Sequence, residues 1–340
     1  MRCAALNTEP ECHLLDHIAP LADLMQMPLI VTDHRNYELA SHYYPQVELR
    51  YMPDLNFQLD LIAEQFDMLF ECKYWVPHLK SLFRDLYNKD MKLVFCPHGQ
   101  SDKGFQAPLL APYATQDRVL VYGDLLIEML KKLDIWPEIS NCTIIGNYRL
   151  QFYQKHQFFY DQLIAKEVPL NKSKKTLLYA PTWKDADSST SFFNCASALF
   201  AQLPEDWNLI VKLHPLLEKR NPAYFYSIAA VAEKRENLFL IHELPPVYPL
   251  LSIADIYLGD FSSVGYDFLF FQRPLYFFPT EHPGRLYSCG QMLDMEKNIY
   301  SQLKTSHLFH KQQQDLYRFA FTDRSLSPEE FLRELNQKTK

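Results

Sequence analysis

Short apolar runs rich in Val, Ile, Leu and aromatic residues recur along the chain, separated by longer mixed segments. In the first half they are PLIVTD (28–33), VELRYM (47–52), DMLFEC (67–72), KLVFCP (92–97), RVLVYG (118–123) and CTIIGN (142–147). In the second half they are TLLYAP (176–181), NLIVKLHP (208–215), LFLIHE (238–243), DIYLGD (255–260) and PLYFF (274–278). As a set they lack a clean alternation between apolar and polar residues. That pattern suits strands covered on both faces, as in a parallel sheet flanked by helices. Spacers such as VPHLKSLFRDLYNKD and GDLLIEMLKKL carry apolar residues at helical intervals.

The polar, basic stretch AKEVPLNKSKK (165–175) interrupts this rhythm near the middle and reads as a linker. The expected organisation is a first Rossmann-like domain at 1–164, the linker at 165–175, a second Rossmann-like domain at 176–305 and a helical tail at 306–340. In the tail, Ser327, Pro328 and Glu330 spell a capping box with proline at the first helical position. Strand and helix alternating on both sides of a linker imply two doubly wound, Rossmann-like α/β domains facing across a cleft.

Composition narrows the function classes. A chain of 340 residues, 48% hydrophobic, can fill two cores. Its net charge of −7 argues against non-specific nucleic-acid binding. Seven scattered cysteines without a C-x-x-C pair suit reduced thiols better than disulfides or zinc. The N-terminal residues lack the apolar run of a signal peptide, and no stretch approaches the roughly 20 apolar residues of a membrane span. The expectation is a cytoplasmic protein. Neither G-x-G-x-x-G nor a P-loop is present, so no dinucleotide cofactor or P-loop ATPase is expected.

Four stretches carry candidate chemistry. GDFSSVGYD (259–267) closes an expected strand and opens a helix, putting Ser262 and Ser263 at a helix N-terminus, where free N–H groups favour an anion. The plainer role for either serine is a helix cap. Asp267, one turn on, suits either a ribose hydroxyl or the helix dipole. VKLHP puts Lys212 and His214 on one face of a strand end; the alternative is a strand tip reaching solvent. In YAPTWKDAD, Pro181 ends a strand and leaves Thr182 to bond a phosphate and Trp183 either to stack on a base or to plug the core. FCPHGQSDKG sets His98 beside Gly99, ahead of Lys103 and Gly104. A histidine on a glycine turn at a strand's carboxyl end is a candidate general base, although a lone histidine is more often structural. No metal-ligand spacing appears among His, Cys and Asp. The segment 73–92 mixes aromatic and basic residues, suiting a membrane surface or an ordinary sheet-covering helix.

In that order, LLYAPTWKD, VKLHP and GDFSSVGYDFLFFQRPLYFF resemble the donor-binding domain of the CDP-glycerol glycerophosphotransferases, the teichoic-acid and capsule polyol-phosphate transferases. HGQSDKG resembles the family's His-Gly turn, with Gln-Ser where Thr-Pro is usual and Lys103 directly before Gly104. The resemblance implies a GT-B fold and metal-independent transfer, with a CDP-activated polyol phosphate as substrate and no cofactor. The implied acceptor is a hydroxyl on a lipid-linked or polymeric molecule, and membrane contact is at most peripheral, at the inner face. Carried over, His98 is the base, with Gly99 and Lys103 on the acceptor side. Thr182, Trp183, Lys212, His214, Ser262, Ser263 and Asp267 surround the donor. Two other readings stay open: a GT-B glycosyltransferase using a nucleotide sugar, and an inactive nucleotide- or partner-binding protein.

Overall fold

The computed structural model describes residues 1–102, 110–183, 190–241, 243–281, 283–305, 308–325 and 327–336. The chain forms two compact units. The first comprises Met1–Gly99, Phe105–Lys155 and Ala320–Lys340; the second comprises Gln100–Gly104 and His156–Phe319.

The first unit is built on seven parallel strands: β1 (Cys3–Asn7), β2 (Leu29–Val31), β3 (Leu49–Tyr51), β4 (Met68–Glu71), β5 (Lys92–Phe95), β6 (Arg118–Val121) and β7 (Cys142–Ile144). Their order across the sheet is β3-β2-β1-β4-β5-β6-β7. The second unit has six parallel strands: β8 (Lys175–Ala180), β9 (Trp207–Lys212), β10 (Leu238–Ile241), β11 (Ile256–Gly259), β12 (Leu275–Phe277) and β13 (Gln291–Met292). Their order is β10-β9-β8-β11-β12-β13. Both units are therefore doubly wound Rossmann-like sheets, as the apolar runs predict. Every residue of β4 and of β11 is buried, so each strand is covered on both faces.

Apart from β8, which has six residues, the strands are shorter than the runs that announce them, and two were not announced at all. β1, next to the point where strand order reverses in the first sheet, is Cys-Ala-Ala-Leu-Asn. It lacks the β-branched and aromatic residues that mark a strand, and burial between β2 and β4 supplies what propensity does not. β13 has two residues and pairs with β12.

The division between units also differs from the expected one. Residues 157–167 form a helix assigned to the second unit, and the basic stretch after it leads straight into β8. The tail helix Pro328–Asn336 belongs to the first unit rather than standing apart. Its Phe331 and Leu335 are fully buried, Phe331 lies 6.4 Å from Phe70, and Lys92 Nζ donates to Asn336 Oδ1 at 2.8 Å. The capping box forms as read: Ser327 N donates to Glu330 Oε2 at 2.9 Å and Glu330 N to Ser327 Oγ at 3.2 Å.

Strand order reverses between β1 and β4 in the first unit and between β8 and β11 in the second. In open α/β sheets ligands bind beyond the carboxyl ends of strands at such a switch point. No described helix is long and apolar enough to cross a membrane.

Candidate active site

In the second unit, β8 ends at Ala180 and β11 at Gly259, and the two are register partners. A side chain on Gly259 would meet Tyr257 Oη at 2.3 Å, so any larger residue at this strand end would have to displace the buried Tyr257 ring. Tyr257 Oη donates to Ala180 O at 3.3 Å, joining the two strand ends. Beyond them Asp260, 2% exposed, accepts from Thr182 N at 2.8 Å, Ser191 N at 2.8 Å and Ser191 Oγ at 2.7 Å. Since the Ser191 proton goes to Asp260, Tyr179 Oη donates to Ser191 Oγ at 2.8 Å. Burial, with Asp260 nearby as the next cause, holds the Tyr179 and Tyr257 hydroxyls well above their ordinary pKa, so both remain donors. Asp260 thus ties the loop after β8 to the loop after β11.

Each residue expected on the donor side lies in this unit. Ser262 caps the helix Ser263–Phe268: its Oγ accepts from Val264 N at 3.4 Å and its side chain is mostly buried. The capping role is the one the structure displays for Ser262; Ser263, the first helical residue, is half-buried. Thr182 is buried at the mouth of β8. Lys212 ends β9, and Leu213 points into the core while Lys212 and His214 are both half-buried, the alternation expected of a strand end. Trp183 is half-buried against the second unit's core, its ring 6.2 Å from that of His214, and the Arg220 guanidinium lies 4.5 Å above it.

His214 caps the helix Pro215–Arg220, its Nδ1 accepting from Leu216 N at 3.2 Å. A nitrogen that accepts carries no proton, so the neutral ring bears its hydrogen on Nε2. Of the two donor forms open to this histidine, the cap selects the Nε2–H one.

Asp267 sits at the fifth of six helical positions, 2% exposed, and accepts from Tyr248 Oη at 2.9 Å.

The first unit carries His98, just past the end of β5 and followed by Gly99 at φ +93°, a conformation that favours glycine. His98 Nδ1 lies 3.2 Å from Cys72 O, just past the end of β4. A carbonyl only accepts, so Nδ1 bears the hydrogen and Nε2 keeps a lone pair. The ring retains open surface, yet the protein packed around it makes the charged form costly and holds its pKa below the ordinary 6.5. The rings of His13 and His17 stand 6.3 and 6.5 Å from it, edge-on. Lys103 and Gly104, and likewise Lys184 and Asp185, lie outside the described residues. Asp102 is described: it is buried and accepts from Arg285 N at 2.6 Å within the second unit.

Sequence reasoning gave Asp260 no role, although it stood inside the quoted stretch. An aspartate directly after a strand end, in a chain with so few polar residues there, was the available signal. Cys72 offered none, because its contribution is a main-chain carbonyl. Among the described residues no group of three His, Cys, Asp or Glu side chains is arranged to hold a metal ion.

Comparison with known proteins follows this geometry. The chain is 28% identical over 123 residues to the teichoic acid ribitol-phosphate polymerase TarL of Staphylococcus aureus, covering 34% of this chain and 20% of that one. It is 30% identical over 140 residues to the teichoic acid poly(glycerol phosphate) polymerase of Bacillus spizizenii, covering 39% and 34% respectively. The matched stretches thus span only part of these relatives, 20% of the first and 34% of the second. The structure of the wall teichoic acid polymerase TagF superposes over 98% of this chain and 87% of its own, with a TM-score of 0.63 at 13% identity, a likeness of fold. Two Rossmann-like units of this kind make the GT-B fold. The family model described as CDP-Glycerol:Poly(glycerophosphate) glycerophosphotransferase matches residues 128–335, more than half of the chain, and the chain belongs to that family.

Proposed function

We propose that the protein transfers a polyol phosphate from a CDP-activated donor to an acceptor hydroxyl in the synthesis of a cell-surface polymer. The observation that carries the mechanism is the Nδ1–H of His98 bound to the Cys72 carbonyl at 3.2 Å. It leaves Nε2 as the one ring atom able to take a proton, and the lowered pKa keeps it unprotonated at neutral pH. In this reading the acceptor oxygen attacks the β-phosphorus and gives its proton to His98 Nε2. The new phosphodiester bond forms as the bond to the bridging oxygen breaks, and CMP departs with that electron pair. His214 Nε2–H, Lys212 and the hydroxyls of Thr182 and Ser263 supply donors to the phosphates, so catalysis is positioning and charge stabilisation. Trp183 is the candidate surface for the cytosine ring. No cofactor or metal enters the scheme, and membrane contact, where the acceptor is lipid-linked, is peripheral.

Relatives named for ribitol phosphate and for glycerol phosphate both match this chain, so both polyols belong in the test. Purified protein is incubated with CDP-glycerol or CDP-ribitol and a polyol-phosphate-primed acceptor, and the product is read by phosphorus NMR. A new phosphodiester with stoichiometric CMP is expected, lost in His98→Gln while CDP binding by calorimetry persists. A glycosidic product from a nucleotide sugar would replace this reading with glycosyl transfer. Saturable CDP binding without turnover on any acceptor would leave a binding protein.

A further inference from the structure

Tyr122, the first residue after β6, is completely buried. Among the partners of its hydroxyl are Pro97 O, the carbonyl preceding His98, at 3.1 Å, and His17 Nδ1 at 2.8 Å. The direction of each bond follows from chemistry. The Pro97 carbonyl can only accept, so the single Tyr122 proton points at it. His17 must then donate from Nδ1 to Tyr122 Oη, which fixes His17 as the Nδ1–H tautomer. His17 is buried on the helix Leu15–Met25, where burial, with the Arg149 charge as the second cause, keeps the ring neutral. Arg149 is itself held by Asp16, its Nε donating to Asp16 Oδ2 at 3.1 Å, and Tyr148 Oη donates to His17 O at 2.9 Å. The Tyr148 ring stacks on that of Tyr122 at 5.7 Å and 9°. A directed chain of donors therefore runs from a fixed helix, through one hydroxyl, onto the peptide that carries His98.

We propose that Tyr122 and His17 are positioning residues for His98, holding the Pro97–His98 peptide so that Nδ1 stays on the Cys72 carbonyl and Nε2 stays free. The inference rests on the reading of His98 as the base. His98 is pinned at three places: at its ring by Cys72, on its C-terminal side by the Gly99 turn, and on its N-terminal side by Tyr122. Of the three, only the third comes from a partner's side-chain polar group, so a single substitution removes it while leaving the residues of the turn in place. If the Pro97 carbonyl loses its donor, the turn relaxes and the bond to Cys72 lengthens. The imidazole then drifts toward the Nε2–H tautomer that histidine favours in water, which places a proton where the lone pair is needed.

The variants are Tyr122→Phe, which keeps the ring stack and removes the hydroxyl, and the pair His17→Ala and His17→Asn. In the last, Asn Nδ2 takes the place of Nδ1 and can still donate to Tyr122 Oη. Nitrogen-15 NMR of the histidine rings, with the His98 signal assigned by its loss in His98→Gln, reads the tautomer without any turnover. Wild type is expected as Nδ1–H. Tyr122→Phe and His17→Ala shift it toward Nε2–H, and His17→Asn restores the wild-type signal relative to His17→Ala. In the transfer assay the first two lose roughly 100-fold in kcat, the scale of an ångström-level misplacement, with donor KM within about threefold. An unchanged His98 tautomer in folded Tyr122→Phe overturns the proposal, as does a wild-type His98 protonated on Nε2. Where Tyr122→Phe does not fold, equal His98 signals in His17→Ala and His17→Asn overturn it. Absence of turnover in the wild type would defeat the assignment of His98 as base and leave the tautomer result standing.

Discussion

Replacing Asp260 by asparagine tests the organisation of the donor side most directly. Among the described residues the carboxylate accepts three hydrogen bonds at 2.7–2.8 Å while 2% exposed. An amide of the same shape has one acceptor oxygen and one donor nitrogen. Its better orientation keeps the oxygen on Ser191, which supplies two donors, and turns the NH2 toward Thr182 N. Setting that buried N–H against another donor costs about 1–3 kcal/mol. The two surviving bonds lose their charge assistance, about 1 kcal/mol each. The sum is roughly 3–5 kcal/mol, a large share of a domain's usual 5–15. Because the loss falls where the loop after β8 meets the loop after β11, CDP affinity should fall at least tenfold, the equivalent of about 1.4 kcal/mol. Two units need not unfold together, so the assay is hydrogen exchange read on the peptides around Thr182 and Ser191, alongside calorimetric titration with CDP. Unchanged protection at both peptides, with CDP affinity within a factor of two, would show that the carboxylate does not organise the site.

Two further expectations concern pH. Glu71, at the end of β4, is buried and accepts from Thr8 Oγ1; burial raises its pKa from 4.5 to about 7. A raised carboxyl favours folding below its unfolded pKa, and that advantage, about 3 kcal/mol for this gap, is lost as pH rises through about 7. Glu71→Gln removes the titration, so urea unfolding should show the variant gaining on wild type between about pH 5 and about pH 8.5; a constant difference refutes the buried carboxyl. For His98 the sign is opposite, since surrounding protein disfavours its cation. Activity should follow the neutral ring, flat above neutrality and falling as pH drops through a midpoint below 6.5 in kcat/KM. A limb centred above that value sinks the assignment.

How far the sequence could lead is clear from particular residues. β11 and β9 were legible because Ile-Tyr-Leu and Leu-Ile-Val are strand formers, and the residues that follow break the apolar run at the carboxyl end of each. β1 was not legible, because alanine carries no strand signal and only its neighbours make it a strand. The partner of Asp267 was hidden for a related reason: helical spacing gives its position along the helix but not that Tyr248, 19 residues away, is packed against it.

The deeper loss concerns the two candidate catalytic histidines, which look alike in the sequence. Each follows the end of a strand, and each spends its Nδ1 on the main chain. His98 meets a carbonyl, must donate, and keeps a lone pair on Nε2. His214 meets an N–H, must accept, and keeps a hydrogen on Nε2. In the proposed reaction one ring would take a proton and the other offer a hydrogen bond to a phosphate oxygen. Charged neighbours could tune either pKa but would not by themselves choose the atom. The choice comes from which backbone group the ring encounters, and for His98 that group lies 26 residues away in sequence. Protonating His214 would cost the cap its acceptor. The cap and the Nε2–H donor therefore go together in His214, as the bond to Cys72 and the Nε2 lone pair do in His98.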